Sequence, residues 1–147
     1  MANDISLSLV LLTKVLDEVW IADDPTAVDR LFHPEAQITG LVPNVKLGPQ
    51  DYREMAEQLR ELSLLKSYRI NETLNDLSGK SAYLIEMDIR NLATEQIATQ
   101  SGVIMIETRD GLLNRVHIQV DMMTYFQDLG LLPEDAALLC MSGTKLS

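Results

Sequence analysis

The segment RVHIQVDM, Arg115 to Met122, carries Arg115, His117, Gln119 and Asp121 at alternate positions, with Val116, Ile118 and Val120 between them. An imidazole can take up or relay a proton near neutral pH, a carboxamide can donate to a carbonyl oxygen, and a carboxylate can accept a proton. Side chains alternate between the faces of a strand, so such a row ordinarily faces water while the valines and the isoleucine face the core. The other arrangement is a strand with two interiors, one apolar and one holding the polar row. His33, next to Pro34, reads as a helix-end residue at a pocket mouth or on the surface. Two isolated histidines without paired spacing offer no metal-ligand set, so neither a metal nor another cofactor is expected.

At 147 residues and 46% hydrophobic content, the chain reads as a single domain, residues 1–147, with a core large enough to need no disulfide staples. Twenty-two acidic against 12 basic residues give a formal charge of -10. No basic cluster interrupts that excess, which argues against nucleic acid as a partner. The lone Cys140 can form no internal disulfide and fits a reducing compartment. The apolar stretch ISLSLVLLTKVLDEVWI is broken by Lys14, Asp17 and Glu18, and no basic residue precedes it, so it reads neither as a signal peptide nor as a membrane span. The expectation is a cytoplasmic protein with no membrane association.

Several elements must position the polar row. Ile5, Leu9, Leu12, Leu16 and Val19 recur at three- and four-residue spacing and predict an amphipathic first helix with that stripe buried. Asp24 and Pro25 suit the cap and first position of a short second helix running through Phe32, ended by His33 and Pro34. AQITGL follows as a short strand, and GPQDYREMAEQLRELSLL as a third helix with Tyr52, Met55, Leu59 and Leu62 on one face. From Lys66 the period becomes two, in segments near 67–77, 81–91, 97–108 and 112–122, which predicts four antiparallel strands. Asp110 and Gly111 suit a tight turn between the last two. A three-residue loop there would set Val103 and Met105 beside the polar row, and a two-residue loop Gly102 and Ile104. A helical turn, MTYFQDL, stops at Gly130, and Pro133 with Glu134 and Asp135 opens one more short helix. Helices first and an antiparallel sheet afterwards make an α+β fold, a curved cone-shaped sheet closed by the N-terminal helices around a ligand site.

The strings VWIADDPTAVDRLFHPEAQI and DGLLNRVHIQVDMMTYFQDLGLLP, in this order of elements, resemble signatures of the nuclear transport factor 2-like superfamily and of its SnoaL-like polyketide cyclase branch. The resemblance spans nearly the whole chain. It implies a cone-shaped α+β barrel, a pocket for a small hydrophobic or aromatic molecule, and a homodimer through the convex face of the sheet. It also implies that Asp121, His117 and Gln119 point into the pocket, while Val116, Ile118 and Val120 face a partner or covering element and Arg115 sits at the rim.

Asp121 matches the acid/base aspartate of the SnoaL-like cyclases, which implies cofactor-independent cyclase or isomerase chemistry. There the carboxylate removes a proton from a carbon next to a carbonyl, with an upward-shifted pKa supplied by burial. His117 would hold the enolate oxygen or the carboxylate, and Gln119 would bind substrate. Trp20, Phe32, Tyr52, Met55 and Leu59 would line the pocket, a role that overlaps with core packing in a fold of this shape. Asp121 could instead cap the helical turn after it, and His117 could fill space as a satisfied imidazole, leaving a non-catalytic ligand-binding or dimerisation module. The ketosteroid isomerase branch calls for an aspartate at the end of the first strand, where Gly40 stands. An epoxide-hydrolase-like enzyme is a further alternative, but its middle strand calls for an arginine where Glu86 stands, with Arg90 on the wrong side of Asp88.

Overall fold

The computed structural model describes residues 2–146, and the side chains of residues 7–146. Helix α1 (Ala2–Lys14) widens into a π-helical segment, Val15–Ile21, that keeps one continuous face against the sheet. The buried positions on it are Ser8, Leu11, Leu12, Val15, Leu16 and Val19. These recur at three- and four-residue intervals, so they form a single stripe. Leu9, expected in that stripe, is instead exposed, because it falls to the side of the line through Ser8 and Leu12. Ile5 lies outside the residues whose side chains are described.

A 3₁₀ turn, Pro25–Ala27, leads into α2 (Val28–Leu31), which ends one residue before Phe32. Strand β1 (Phe32–Thr39) begins at Phe32 and runs through His33 and Pro34, earlier than the pattern AQITGL suggested. Proline is tolerated because β1 is an edge strand whose N–H groups need not all find partners. Helix α3 (Pro49–Arg60) starts where Pro49 takes the first position and the Asp51 carboxylate accepts from the Gly48 N–H at 2.9 Å. Tyr52 and Ala56 are buried on its inner face, whereas Leu62, past the end of the helix, is exposed.

Strands β2 (Ser63–Asn75), β3 (Ser81–Asn91), β4 (Ile97–Arg109) and β5 (Leu112–Val120) pair antiparallel in sequence, and β1 joins β5 in parallel. The sheet order is β1-β5-β4-β3-β2, an open, curved sheet with β1 and β2 at its edges. Register shifts in β2 near Lys66 and Asn71, and in the β4/β5 hairpin between Glu107 and Thr108, bend the strands. Ile38, Tyr83, Ile85, Ile106, Leu113 and Val116 from the inner face meet Leu12, Val15, Leu16 and Val19 from the first helix and Val28 and Leu31 from the second. Removing each such aliphatic side chain from water stabilises the fold by roughly 1.5–3 kcal/mol. Short helices α4 (Met122–Asp128) and α5 (Ala136–Met141) follow the last strand. No helix among the described residues is long and apolar enough to cross a membrane.

Candidate functional site

The curved sheet and the helices leave a cavity of ≈ 130 Å³ at the end of the cone where α4 follows β5. Trp20, Tyr52, Met55 and Leu59 line it from the helices, as the sequence suggested; Phe32 does not, standing one layer behind with its ring 5.3 Å from that of Tyr52. The sheet contributes Leu65, Met87, Ile89, Gln100 and Ile104, and, from β5, Ile118 and Val120.

Strand β5 therefore presents the face opposite to the one expected. Val116 is buried, and Ile118 and Val120 face the cavity, while His117 and Gln119 point outward and are exposed. The cause is one residue. Leu113 is buried, so a regular strand continuing from it would have turned residues 115, 117 and 119 inward. Arg109 pairs with Leu112 across a two-residue turn at Asp110 and Gly111, both in left-handed conformation, and Thr108 pairs with Leu113. Glu107 then pairs with Arg115, so Asn114 is an extra residue on β5. That bulge reverses every later side chain, setting Val103 opposite Gln119 and Met105 opposite His117 despite the two-residue loop.

His117 is held on the outer face by the Thr39 hydroxyl, 2.8 Å from Nδ1, and by Gln119 Oε1, 3.3 Å from Nε2. Neither His117 nor Gln119 can reach a molecule in the cavity, which corrects the expectation that they belong to one site with Asp121. Arg115 pairs on the same outer face with Glu107 at 3.4 Å. Farther along, Asp88 accepts two hydrogen bonds from Arg69, at 2.8 and 3.2 Å, and others from Ser67 and Thr99. The Arg69 guanidinium and the two hydroxyls hold its carboxyl well below the usual carboxylate range. Arg90 shares that face but pairs with Glu95, so no Arg–Asp pair of the epoxide-hydrolase kind forms at Asp88 and Arg90. His33 lies against Asp110, 3.6 Å away, at the turn end of the sheet and away from the cavity.

Asp121 has left the strand. It touches the cavity rim together with Val120 and Met122, is exposed, and caps α4. Its Oδ1 accepts from the Thr124 N–H at 3.0 Å and its Oδ2 from the Thr124 hydroxyl at 2.6 Å. The Thr124 hydroxyl, and then the N–H groups of Thr124 and Met123, pull its carboxyl below the ordinary value. This is opposite to the upward shift that proton abstraction from carbon calls for, and it weakens the carboxylate as a base. The sign fixes a prediction. A depressed carboxyl stabilises the fold above the unfolded-state pKa of about 4, and that contribution is lost as pH falls through the lower folded value. Asp121→Asn keeps the cap, since asparagine caps as well as aspartate, and Asp121→Ala costs about 1 kcal/mol. In urea melts, the stability of wild type relative to Asp121→Asn is expected to be flat above about pH 5 and to shrink below about pH 4.

Polar groups punctuate the cavity wall, and three of them, on Ser63, Gln100 and Tyr125, were not singled out by the sequence pattern. The Ser63 and Tyr125 hydroxyls are 2.7 Å apart and both residues are buried, tying α4 to the start of β2. Gln100, also buried, donates from Nε2 to the Asp128 carboxylate at 2.7 Å. Tyr52 accepts from the Trp20 indole N–H at 2.9 Å, the two rings meeting edge to face. Burial pushes the Tyr52 phenol up to about 12, so it keeps its proton, and among the described residues that proton has no acceptor. Serine, glutamine and tyrosine on otherwise inward positions of strands and helix were the available signals.

No protein-family model matches the chain, and no curated protein matches it in sequence. Solved structures do. A Bacillus subtilis protein provisionally described as an isomerase superposes with a TM-score of 0.77 at 16% identity, covering 88% of this chain and 97% of that one. A Shewanella putrefaciens CN-32 protein provisionally described as a SnoaL-like polyketide cyclase gives 0.68 at 10% identity, over 90% of this chain and 99% of its own. A Catenulispora acidiphila DSM 44928 protein with a ketosteroid isomerase-like fold, solved in complex with trimethylamine, gives 0.68 at 10% identity over 84% and 95%. Likeness at such identities is likeness of fold. The chain shares the nuclear transport factor 2-like fold of those structures, a fold that by itself assigns no activity.

Proposed function

We propose that this chain binds a small, largely apolar molecule, about one ring in size, through the cavity under α4, and that the Tyr52 hydroxyl donates to an acceptor oxygen on it. The observation that carries the reading is the Tyr52 proton, buried in an apolar wall and without an acceptor among the described residues. An unmet donor in such surroundings costs free energy that a ligand carbonyl would recover. Size follows from the volume. An apolar cavity of about 150 Å³ takes one benzene ring, so ≈ 130 Å³ suits a single ring and not a fused polycycle.

The cavity also contains its own reporter, because Trp20 is the one tryptophan and forms part of the wall. Titration with cyclohexanone is expected to change the Trp20 emission saturably, while a four-ring steroid ketone leaves it unchanged. The reverse order would refute the size argument, and no response to any ring ketone would remove the binding reading.

Cyclase or isomerase chemistry with Asp121 as base is the second reading, favoured by the place of that carboxylate on the cavity rim. Its two oxygens are engaged by Thr124 and its pKa is depressed, so binding without proton abstraction fits the geometry better. Deuterium exchange at the carbon next to the carbonyl of bound cyclohexanone would separate the two. Exchange catalysed by wild type and lost in Asp121→Asn would establish the base.

A second copy of the chain is the partner we place on the outer face of the sheet, supported by Leu84, Val103 and Met105, which are exposed side by side across β3 and β4. Val103→Glu is expected to convert a dimer to a monomer in size-exclusion chromatography with light scattering. A wild-type monomer would end that assignment.

A further inference from the structure

Of the walls around the apolar cavity, α4 has the least holding it. The sheet side is made of β2 to β5, each fixed by a ladder of backbone hydrogen bonds. The first helix is anchored by Leu12, Val15, Leu16 and Val19, and α3 by Tyr52 and Ala56, all buried. The loop that brings Leu41 to the wall is pinned at its base, where the Ile38 and Leu47 N–H groups each donate to the other's carbonyl at 2.8 Å. In α4 only Tyr125 is buried. With seven residues, the helix is too short to persist without its surroundings.

Its packing is also interrupted on two sides. Met122 and Tyr125 border the apolar cavity, while Tyr125, Gln127 and Asp128 border a second cavity of ≈ 260 Å³ toward β3 and β4. Three hydrogen bonds join α4 to the sheet among the described residues. The Ser63 and Tyr125 hydroxyls meet at 2.7 Å, Gln100 Nε2 donates to the Asp128 carboxylate at 2.7 Å, and Asn91 Nδ2 donates to the Asp128 carbonyl at 3.2 Å. Two of the three end on Asp128, the last residue of the helix, and the Gln100 bond is the strongest because its acceptor is a carboxylate. Gly130 follows at φ of 77° with open space beside it, where glycine leaves the backbone free to turn.

Building on the proposed single-ring pocket, we propose that α4 is its lid, that ligand enters and leaves when α4 swings off the sheet, and that Asp128 is the latch. Asp121, exposed on the cavity rim, is where β5 ends and α4 begins, so a swing about that point opens the cavity at its rim. An element with one buried side chain and a few polar ties opens at a small fraction of the cost of global unfolding. Its open population, and with it the rate of ligand entry, is then set by those ties.

The test uses the intact chain and the line shape of the Trp20 indole N–H resonance along a cyclohexanone titration, which reports both rate constants. Asp128 stands outside the apolar cavity, so replacing it leaves the contacts of a bound ring in place. In Asp128→Ala, association and dissociation are both expected to quicken about tenfold, with Kd within about twofold of wild type. Amide exchange gives a second readout, because a detached helix of this length unravels. The N–H groups of Tyr125 and Leu129, which donate within α4, should exchange faster than those of β4, faster still in Asp128→Ala, and more slowly once cyclohexanone saturates the protein. Unchanged rate constants in Asp128→Ala, or α4 amides protected as well as those of β4, would overturn the lid and leave the pocket standing. Faster dissociation alone, with affinity lost in proportion, would also overturn it, since Asp128 would then be supporting the bound state and not latching the entrance. No response to cyclohexanone in wild type would remove the pocket and the lid together.

Discussion

Gly40→Ala is expected to lower stability by about 3 kcal/mol and the melting temperature by roughly 6–12 °C. Gly40 closes β1 with φ of 96°, in the region that residues with a Cβ avoid, and it backs directly onto β5. A methyl group there would overlap the backbone carbonyl oxygen of Ile118 and come within 3.0 Å of the His117 ring. A backbone oxygen in a paired strand cannot step aside as a flexible side chain can, so strain and overlap add. Gly111 separates the two effects. It has φ of 80° and open space where a methyl group would stand, so Gly111→Ala carries only the backbone cost of about 1 kcal/mol. Matched urea melts of the two variants should differ by about 2 kcal/mol, and equal losses would show that the contact with Ile118 is relieved by movement. The same contact has a chemical consequence. An isomerase base at the end of the first strand would need a side chain where none fits, so that position is closed to catalysis by packing and not merely by residue type.

The large features of this fold were legible because they depend on periodicity. Alternation from residue 67 onward predicted the four long strands, and the three- and four-residue spacing of Leu12, Leu16 and Val19 predicted the buried face of the first helix. Asp110 and Gly111 predicted the tight turn, which has both residues left-handed. The site was less legible because it depends on parity, which one inserted residue reverses. Leu113 and Val116 are both buried although three apart, which a strand with one buried face permits only across a bulge such as that at Asn114, and Leu112 beside Leu113 masked that spacing in the sequence. Carrying a strand-end aspartate over from a resemblance brought its neighbours along at the wrong parity. Asp121 itself reached the cavity rim only because it had already left the strand to cap α4. Tyr52, by contrast, was placed on an inward helix face by spacing and on the pocket wall by the fold that the resemblance implied, and neither could disclose the indole N–H that fills its acceptor and leaves its proton free.

That free proton is why Tyr52→Phe should have the larger effect on binding. In wild type, cyclohexanone is expected to bind about tenfold tighter than methylcyclohexane of similar volume, the difference corresponding to one neutral hydrogen bond in a site with little water. Tyr52→Phe keeps the ring that packs on Phe32 and Trp20 and removes only the oxygen. The tenfold preference should therefore vanish, with methylcyclohexane affinity nearly unchanged. Stability should fall by about 1 kcal/mol, because the Trp20 N–H loses its acceptor while remaining only partly buried. With its phenol pushed up to about 12, Tyr52 stays a donor through the neutral range, so the preference should be constant from about pH 5 to 9. A preference that instead followed carboxylate ionisation would point to Asp121 at the rim. One that survived Tyr52→Phe at full size would point to the Ser63 and Tyr125 hydroxyls, neutral donors elsewhere on the wall, as the groups that donate to the ligand oxygen, and Ser63→Ala would then be expected to reduce it.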